Sequence, residues 1–278
     1  MPQHDSDNEA PDALGDSDRP DALSYSERPD ALVDRVRALA AAASVPRILI
    51  GITGSPGSGK TTLARELVHR LVVSGTEAAH LPMDGFHLAN STLDRLGIRD
   101  RKGAIDTFDG WGFVALLERV RAETGHTVYA PRFDRAVDEP VAGAIAIEPT
   151  ERIIVVEGNY LLADIDPWNG VGERLDEVWF CATAEDERMR RLIDRHIRQG
   201  RSPAAARAWA TDVDGANALL IEPTRERADL VVSHALPVGD AGSEAAGGSR
   251  QEAAPSATPS TRLAPRSRLQ EGPVNRPA

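Results

Sequence analysis

The stretch GITGSPGSGKTTLARELVHRL, from Gly51 to Leu71, decides the fold of this chain. It contains the pattern GxxxxGK[ST], in which glycines allow successive backbone N–H groups to curl around a phosphate. An apolar run of buried-strand type, 47–52, precedes the loop, and 63–72 carries apolar side chains at helical spacing. The N-terminus of such a helix directs partial positive charge at phosphate groups. The stretch therefore predicts a strand, a loop and a helix that form a nucleotide site.

Two residues of this loop carry distinct roles in the pattern. Lys60 would reach the β and γ phosphate oxygens, and the Thr61 hydroxyl would bind Mg²⁺. The chain has two lysines, Lys60 and Lys102, beside 30 arginines, and a compact ammonium suits a phosphate contact. A chance glycine-rich turn is the alternative, which the flanking strand and helix disfavour. The predicted nucleotide-binding residues are Gly54, Ser55, Pro56, Gly57, Ser58, Gly59, Lys60, Thr61 and Thr62.

The two ends of the 278-residue chain differ in composition from its middle. Residues 1–30 hold nine acidic residues and two arginines, and the C-terminal stretch is rich in Ala, Gly, Ser, Pro and Arg. Such segments have too few large apolar residues to offset chain entropy. We expect an acidic disordered tail over 1–27, one folded domain with the phosphate-binding loop over 28–237 and a second disordered tail over 238–278.

Charge and apolar content exclude several classes of protein. The formal net charge of −11 argues against non-specific nucleic-acid binding. No stretch approaches the ~20 apolar residues of a membrane span, and the acidic start is unlike a signal peptide. The single cysteine, Cys181, lies in an apolar run that predicts a buried, inert thiol. We expect a cytoplasmic protein with no nucleic-acid or membrane partner.

Strand-like runs alternate with helical patterns along the middle of the chain. The runs cover 47–52, 77–82, 126–130, 152–157, 177–182 and 228–232. Their continuous apolar character implies a parallel sheet covered on both faces. We predict a three-layer α/β/α P-loop NTPase core with a parallel sheet, a leading helix over 28–44 and a short helical lid over about 184–222. Segments 97–112 and 131–150 are predicted to be loops that carry specificity.

Two acidic residues follow predicted strands. Asp84 is a candidate base, because transfer to a hydroxyl needs a carboxylate that accepts its proton. A turn-forming Asp-Gly pair is the alternative there. Glu157 suits a role near Mg²⁺ and its water, with a loop-capping glutamate as the alternative. His87, close to Asp84, is more in keeping with an interior histidine than with a catalytic one.

Four arginines, Arg188, Arg191, Arg195 and Arg198, follow one another at helical spacing. Guanidinium groups on one face repel each other unless anions satisfy them, and triphosphate oxygens would do so. A hinged helix with these arginines could close over a nucleotide. A solvated basic face paired with the neighbouring acids at 185–187 is the alternative.

Several segments resemble the phosphoribulokinase/uridine kinase/pantothenate kinase branch of P-loop kinases over about residues 45–235. They are Asp84-Gly85-Phe86, Arg101-Lys102-Gly103 with Asp106 and Phe108, Glu157-Gly158, and Asn217 with Pro223-Thr224-Arg225-Glu226-Arg227-Ala228. The chain is most similar to the bacterial group labelled nucleoside/nucleotide or fructose-transport-associated kinases. The resemblance implies ATP and Mg²⁺ as cofactors, Asp84 as base and Arg191 and Arg195 as lid arginines.

The resemblance and the residues together predict an ATP- and Mg²⁺-dependent kinase. The predicted catalytic residues are Asp84, Lys60, Arg191 and Arg195, the metal ligands are Thr61 and Glu157, and the substrate-binding residues are Phe86, Lys102, Asp106, Phe108, Tyr129, Arg132, Tyr160 and Asn217. The expected partner is a small-molecule substrate, and a homodimer stays open as the oligomeric state. The loop after Tyr129 reads Ala-Pro-Arg-Phe-Asp, unlike that of uridine or pantothenate kinases, which leaves nucleoside, sugar and pantothenate-like alcohols open as acceptors.

Two alternatives of other classes stay open. A P-loop regulatory ATPase would hydrolyse nucleotide without a small-molecule acceptor, but it would more often show a glutamine that positions water. A non-catalytic nucleotide-binding protein would use its acidic tail, and the combination of Lys60, Thr61, Asp84 and Glu157 argues against it.

Overall fold

A computed structural model of the protein describes residues 22–24 and 29–233. The strands are β1 (Ala22–Ser24), β2 (Ile48–Thr53), β3 (Ala78–Pro82), β4 (Val128–Asp134), β5 (Glu139–Ile147), β6 (Ile153–Glu157), β7 (Glu177–Ala182) and β8 (Leu230–Ser233). The helices are α1 (Pro29–Ala42), α2 (Lys60–Val73), α3 (Asn90–Leu96), α4 (Gly110–Ala122), α5 (Asn169–Gly172), α6 (Glu185–Arg198), α7 (Pro203–Trp209) and α8 (Gly215–Ile221). Short 3₁₀ turns follow β3 and α8, and a π-helical turn, Ala210–Asp214, separates α7 from α8.

The main sheet is parallel and has the strand order β1-β8-β7-β2-β6-β3. Every residue of β2 and β6 is buried, because both faces of these strands are covered. Helices α1 and α2 pack on one face and α4 packs on the other. The predicted three-layer α/β/α P-loop fold with a parallel sheet is thus confirmed. No helix in the described part of the chain is long and apolar enough to cross a membrane.

Strands β4 and β5 form a separate antiparallel hairpin. The prediction that 126–130 belongs to the parallel sheet was therefore wrong, as was the prediction of a loop over 131–150. Along β4 and β5 buried positions are interspersed with exposed ones, which is typical of strands with one solvated face. The larger apolar residues of 141–147, Val141, Ile145 and Ile147, lie at alternate positions with Gly143 between them, so the sequence contained a signal for the second strand.

The leading helix runs from Pro29 to Ala42, inside the predicted range 28–44. Strand β1 pairs with β8 at the edge of the sheet, although it lies in the range 1–27 for which composition predicts a tail. The rest of that range and all of 238–278 lie outside the described residues. The two tails therefore stay predictions.

Arg47 joins three parts of the core. Its side chain is 1% exposed. Its guanidinium group donates hydrogen bonds to the carbonyl oxygens of Val120, Glu148 and Glu151, at 2.5, 2.9 and 2.9 Å. One planar group with five N–H donors thereby satisfies carbonyls at the end of α4 and in the turn between β5 and β6.

We expect Arg47→Met to lower the free energy of unfolding by about 2–4 kcal/mol, because it leaves buried carbonyl oxygens without donors. Urea unfolding measures this loss. Arg65→Met on the exposed face of α2 is the matched control, with an expected change below about 0.5 kcal/mol. Equal losses in the two variants would show that the carbonyl contacts of Arg47 do not stabilise the core.

Candidate active site

The register of three strands brings the phosphate-binding loop and two acids to one edge of the sheet. Glu157, the last residue of β6, is opposite Ile52 of β2 and Pro82 of β3. The loop follows β2, and Asp84 lies two residues beyond Pro82. Carboxyl ends of parallel strands form the ligand-binding edge of such sheets. The sequence pattern and the strand register therefore agree on the position of the site.

The phosphate-binding loop is packed tightly between β7 and α6. Gly54, Gly57 and Gly59 have φ values of +143°, +84° and +95°, which side chains rarely permit. A Cβ atom on Gly54 would lie 2.6 Å from the Cys181 carbonyl oxygen, and one on Gly57 would lie 2.9 Å from that of Arg188. Only glycine fits at these two positions.

The loop also contains unsatisfied polar groups that fit a phosphate. Ser58 Oγ is buried and has no hydrogen-bond partner within residues 29–233. Among the described residues, the Lys60 ammonium donates a hydrogen bond to the Ser55 carbonyl oxygen alone, and that bond is long at 3.5 Å. Backbone N–H groups of 54–59 and the Lys60 ammonium would therefore hold the phosphates of a nucleotide.

Lys60, Thr61 and Glu157 form a buried polar cluster. Burial lowers the pKa of Lys60, and the nearby carboxylates of Glu157 and Asp84 oppose that shift. Burial by itself would raise the pKa of Glu157, but His80, 3.8 Å away, and Lys60 hold that pKa below its ordinary value. The Thr61 hydroxyl donates to Glu157 Oε1 at 3.1 Å. An ionised carboxylate beside a hydroxyl is an oxygen pair that suits Mg²⁺.

A cavity of about 580 Å³ opens beside this cluster. Its walls come from the phosphate-binding loop, the end of β3, the segment 99–108, the β4–β5 hairpin and helices α6 to α8. The predicted site residues that line it are Pro56, Lys60, Thr61, Asp84, Lys102, Phe108, Glu157, Arg195 and Asn217. The structure thus brings together the predicted base, the phosphate-binding lysine and residues from both predicted specificity segments.

Six of the predicted catalytic and substrate-binding residues do not line the cavity. Phe86 packs on Phe113 in the core, and Asp106 pairs with Arg101 at the surface. Arg191 forms an ion pair with Glu187 at 2.7 Å, at one side of the helix that carries Arg195. The remaining three are Tyr129, Arg132 and Tyr160.

Tyr129 and Arg132 are exposed on the hairpin, away from the cavity. Successive side chains of a strand point to opposite faces, so the side chain that lines the cavity is Phe133 and not its neighbour Arg132. Tyr160 is fully buried behind the wall, where its hydroxyl donates to the Gly103 carbonyl oxygen at 2.7 Å. Burial raises the pKa of Tyr160, which makes it a supporting hydrogen-bond donor rather than an acid or base.

The hairpin docks directly on the segment that carries Asp84. A Cβ atom on Gly85 would lie only 2.2 Å from the carbonyl oxygen of Pro131 in β4. His87 stacks on Phe108 with ring centroids 4.0 Å apart, and its ring lies 4.8 Å from that of Phe133. Sequence reasoning placed 131–150 at the substrate but missed which of its residues line the cavity, because the contact that docks the hairpin joins residues 46 positions apart in the chain.

Helices α6 to α8 also contribute residues that were not singled out from the sequence. His196 Nε2 lies 2.7 Å from Asp214 Oδ2, and both side chains are buried at the cavity wall. Asp214 ends the π-helical turn, a feature that is frequent at functional sites. The Arg201 guanidinium stacks over Trp209 at 3.8 Å. The regular helical pattern of this stretch gave no sign of the π-helical turn.

The loop, the parallel sheet and the adjacent acids define a P-loop phosphotransferase that acts on small molecules. The chain belongs to the phosphoribulokinase / uridine kinase family, whose sequence profile matches residues 49–239. This confirms the resemblance seen in the sequence. Such kinases use ATP, generally with Mg²⁺.

Three relatives illustrate the match. A provisionally named uridine kinase of Schizosaccharomyces pombe is 36% identical over 170 residues, 59% of this chain and 72% of the relative. The ATP-dependent kinase-like protein notR′ of Aspergillus versicolor is 35% identical over 163 residues, 56% of this chain and 90% of the relative. A crystal structure from Silicibacter sp. TM1040, of a protein provisionally named a fructose transport system kinase, is 38% identical with a TM-score of 0.68 and covers 72% of this chain and 97% of that one.

We expect Gly85→Ala to loosen the hairpin, because the added Cβ would collide with the Pro131 carbonyl oxygen. Amide hydrogen exchange should become at least about tenfold faster in 128–147 and stay unchanged in β2 and β6. Gly125→Ala is the control, since nothing lies within 4 Å of the Cβ it would add. Unchanged exchange in the hairpin of Gly85→Ala would contradict the tight docking.

We expect His87 to weaken the fold at acidic pH. Burial lowers the pKa of His87 from 6.5 to about 4, so between these values the unfolded chain binds a proton that the folded chain does not. The free energy of unfolding therefore falls as the pH drops through this window, by up to about 3 kcal/mol from this group.

Urea unfolding at pH 7 and pH 4.5 measures the effect. His87→Phe keeps an aromatic ring against Phe108 and should lose less stability over this range than the wild type. His69→Phe, on the exposed face of α2, should behave as the wild type does. An identical pH dependence in all three proteins would show that His87 titrates normally in the folded state.

Proposed function

We propose that the protein transfers the γ-phosphoryl group of ATP to a hydroxyl of a small polar metabolite such as a nucleoside, a sugar or a pantothenate-like alcohol. Membership of the family supports a small-molecule phosphotransferase. The observation that carries the choice of a hydroxyl acceptor is Asp84. Its carboxylate lines the same cavity as Lys60 and makes no hydrogen bond or ion pair with the residues described, 22–24 and 29–233. A free carboxylate at this position is available to a substrate.

The residues of the loop would hold the nucleotide and its metal. Backbone N–H groups of 54–59 and the Lys60 ammonium would bind phosphate oxygens, while Thr61 and Glu157 would hold Mg²⁺ or its water. MgATP supplies the phosphoryl group and the charge of the metal ion. Lys60 stabilises the negative charge that spreads over the transferring oxygens.

Asp84 accepts the proton of the acceptor hydroxyl. The hydroxyl oxygen forms its bond to phosphorus as the bond between that phosphorus and ADP breaks, so the products are ADP and a phosphate monoester. Arg195 also lines the cavity, and its guanidinium group lies 3.9 Å from the Asp214 carboxylate. Arg188 donates a hydrogen bond to the Pro56 carbonyl oxygen at 3.3 Å and so connects α6 to the loop.

A P-loop regulatory ATPase without an acceptor is the competing function. Such a protein needs a group that positions water, whereas Asp84 lines the cavity with Lys60 and its carboxylate has no partner among the described residues. The placement of Asp84 therefore favours a kinase.

We expect Asp84→Asn to lower acceptor-dependent ADP release by about 10²–10⁴-fold, because the amide keeps the shape and loses the base. A coupled assay over sugars, nucleosides and pantothenate-like alcohols identifies the acceptor first. Nucleotide affinity measured by calorimetry should change by less than about 1 kcal/mol, since Asp84 is not part of the phosphate-binding loop.

Asp34→Asn provides the control, because Asp34 is exposed on α1, remote in sequence from every cavity residue. It should keep wild-type turnover. Full turnover in Asp84→Asn would contradict the role of Asp84 as the base. Stimulation of hydrolysis by a protein partner, with no alcohol accepted, would favour the regulatory ATPase.

A further inference from the structure

The positively charged side chains that line the cavity differ in what neutralises them. They are Lys60, Arg99, Lys102, Arg135, Arg195 and Arg201. Arg99 pairs with Asp94 at 2.7 Å, and Lys102 pairs with Asp138 at 2.9 Å. Arg195 lies 3.9 Å from Asp214, and Arg201 stacks over Trp209 at 3.8 Å. These four cations thus each have a partner among the described residues.

Arg135 has none. In the described ranges its guanidinium group makes no hydrogen bond and no ion pair, although it lines the cavity. It is also close to a second positive charge, because after burial and the opposing effect of Asp214 it contributes to the lowered pKa of Arg195. An unpaired cation beside another cation is repelled by it, and an anion placed between the two would remove that repulsion.

The hairpin places Arg135 on the acceptor side of the cavity. Arg135 follows β4, whose Pro131 carbonyl oxygen is in tight contact with Gly85, next to the predicted base. Asp84 and Arg135 are also both close enough to His87 to affect its pKa. An anion on Arg135 would therefore belong to the molecule that presents its hydroxyl to Asp84.

His87 offers a second polar contact to a bound molecule, close to both Asp84 and Arg135. It lines the cavity, its Nδ1 is buried, and no hydrogen-bond partner for that atom exists within 29–233. Burial lowers the pKa of His87 to about 4, so the imidazole is neutral near pH 7. It can therefore form a hydrogen bond with a hydroxyl group, but it carries no charge that would attract an anion.

We propose that the acceptor is an anionic alcohol, whose carboxylate or phosphate binds Arg135 while one of its hydroxyls meets Asp84. A guanidinium group binds both oxyanions through paired N–H donors. This inference rests on the proposed kinase function and narrows its acceptor. It disfavours an uncharged nucleoside, which would leave Arg135 unpaired.

Matched sets of alcohols test the proposal with the full chain. The sets are glycerol, glycerate and glycerol 3-phosphate, then fructose, gluconate and fructose 6-phosphate, with uridine as the neutral nucleoside. ADP release should be at least about 30-fold more efficient in kcat/KM for an anionic member than for its neutral counterpart. Comparison of the carboxylates, glycerate and gluconate, with the phosphates, glycerol 3-phosphate and fructose 6-phosphate, identifies which oxyanion is bound.

The outcomes separate this inference from the function on which it rests. Efficient turnover of uridine, glycerol or fructose, with no gain from the anionic members, overturns the inference and leaves the kinase function standing. Absence of acceptor-dependent turnover for every alcohol overturns both.

Variants of Arg135 test the contact itself. Arg135→Gln should raise KM for the preferred anionic acceptor by about 10- to 100-fold, with KM for ATP changed less than about twofold. Arg135→Lys should restore part of the loss, because it keeps the charge without the paired donors. Arg65→Gln, the same substitution at an arginine of α2, is the matched control.

The thermal midpoint of Arg135→Gln should stay within about 2 °C of the wild type. Arg135 is exposed, and its side chain makes no hydrogen bond or ion pair with the described residues. An unchanged KM for the anionic acceptor in this folded variant would overturn the proposed role of Arg135.

Discussion

The shared register of β2, β6 and β3 is the constraint on which the rest of the site depends. Because Ile52, Glu157 and Pro82 lie side by side, the three strands end together. The loop after β2, the acid at the end of β6 and the acid after β3 then meet without any further adjustment. A slip of β3 by one residue would turn its side chains to the other face of the sheet and would move Asp84 away from Lys60.

Burial gives the polar groups at this edge their character. Lys60 and Glu157 are both buried. Burial lowers the pKa of Lys60 against the opposing carboxylates of Glu157 and Asp84, whereas His80 and Lys60 hold the pKa of Glu157 below its ordinary value against burial. Such a pair makes little net contribution to stability, and it is instead a charge distribution prepared for a phosphate and a divalent cation. The backbone of the loop is likewise prepared for a phosphate, since Gly54 and Gly57 pack where no Cβ atom would fit.

The acceptor side of the cavity is built differently. Its wall is a hairpin that is held against the Gly85 segment by one close backbone contact and by the stacking of His87 with Phe108 and Phe133. The hairpin is a separate sheet from the parallel core that carries the phosphate-binding loop, so the two sides of the cavity come from different parts of the fold. The charge of Arg135 is the feature by which this chain would select among them.

The sequence by itself determined the parallel core, the phosphate-binding loop and the acids at the strand ends. These signals are local, since a strand, a glycine-rich loop and a helix follow one another within 47–73, and Asp84 and Glu157 directly follow apolar runs. Only the tertiary structure decided that 128–147 is a hairpin, that Phe133 and Arg135 line the cavity in place of Tyr129 and Arg132, and that Arg191 does not reach it. Those outcomes depend on contacts between residues far apart in the chain, above all Gly85 against Pro131, and no local pattern specifies which residue such a contact turns inward.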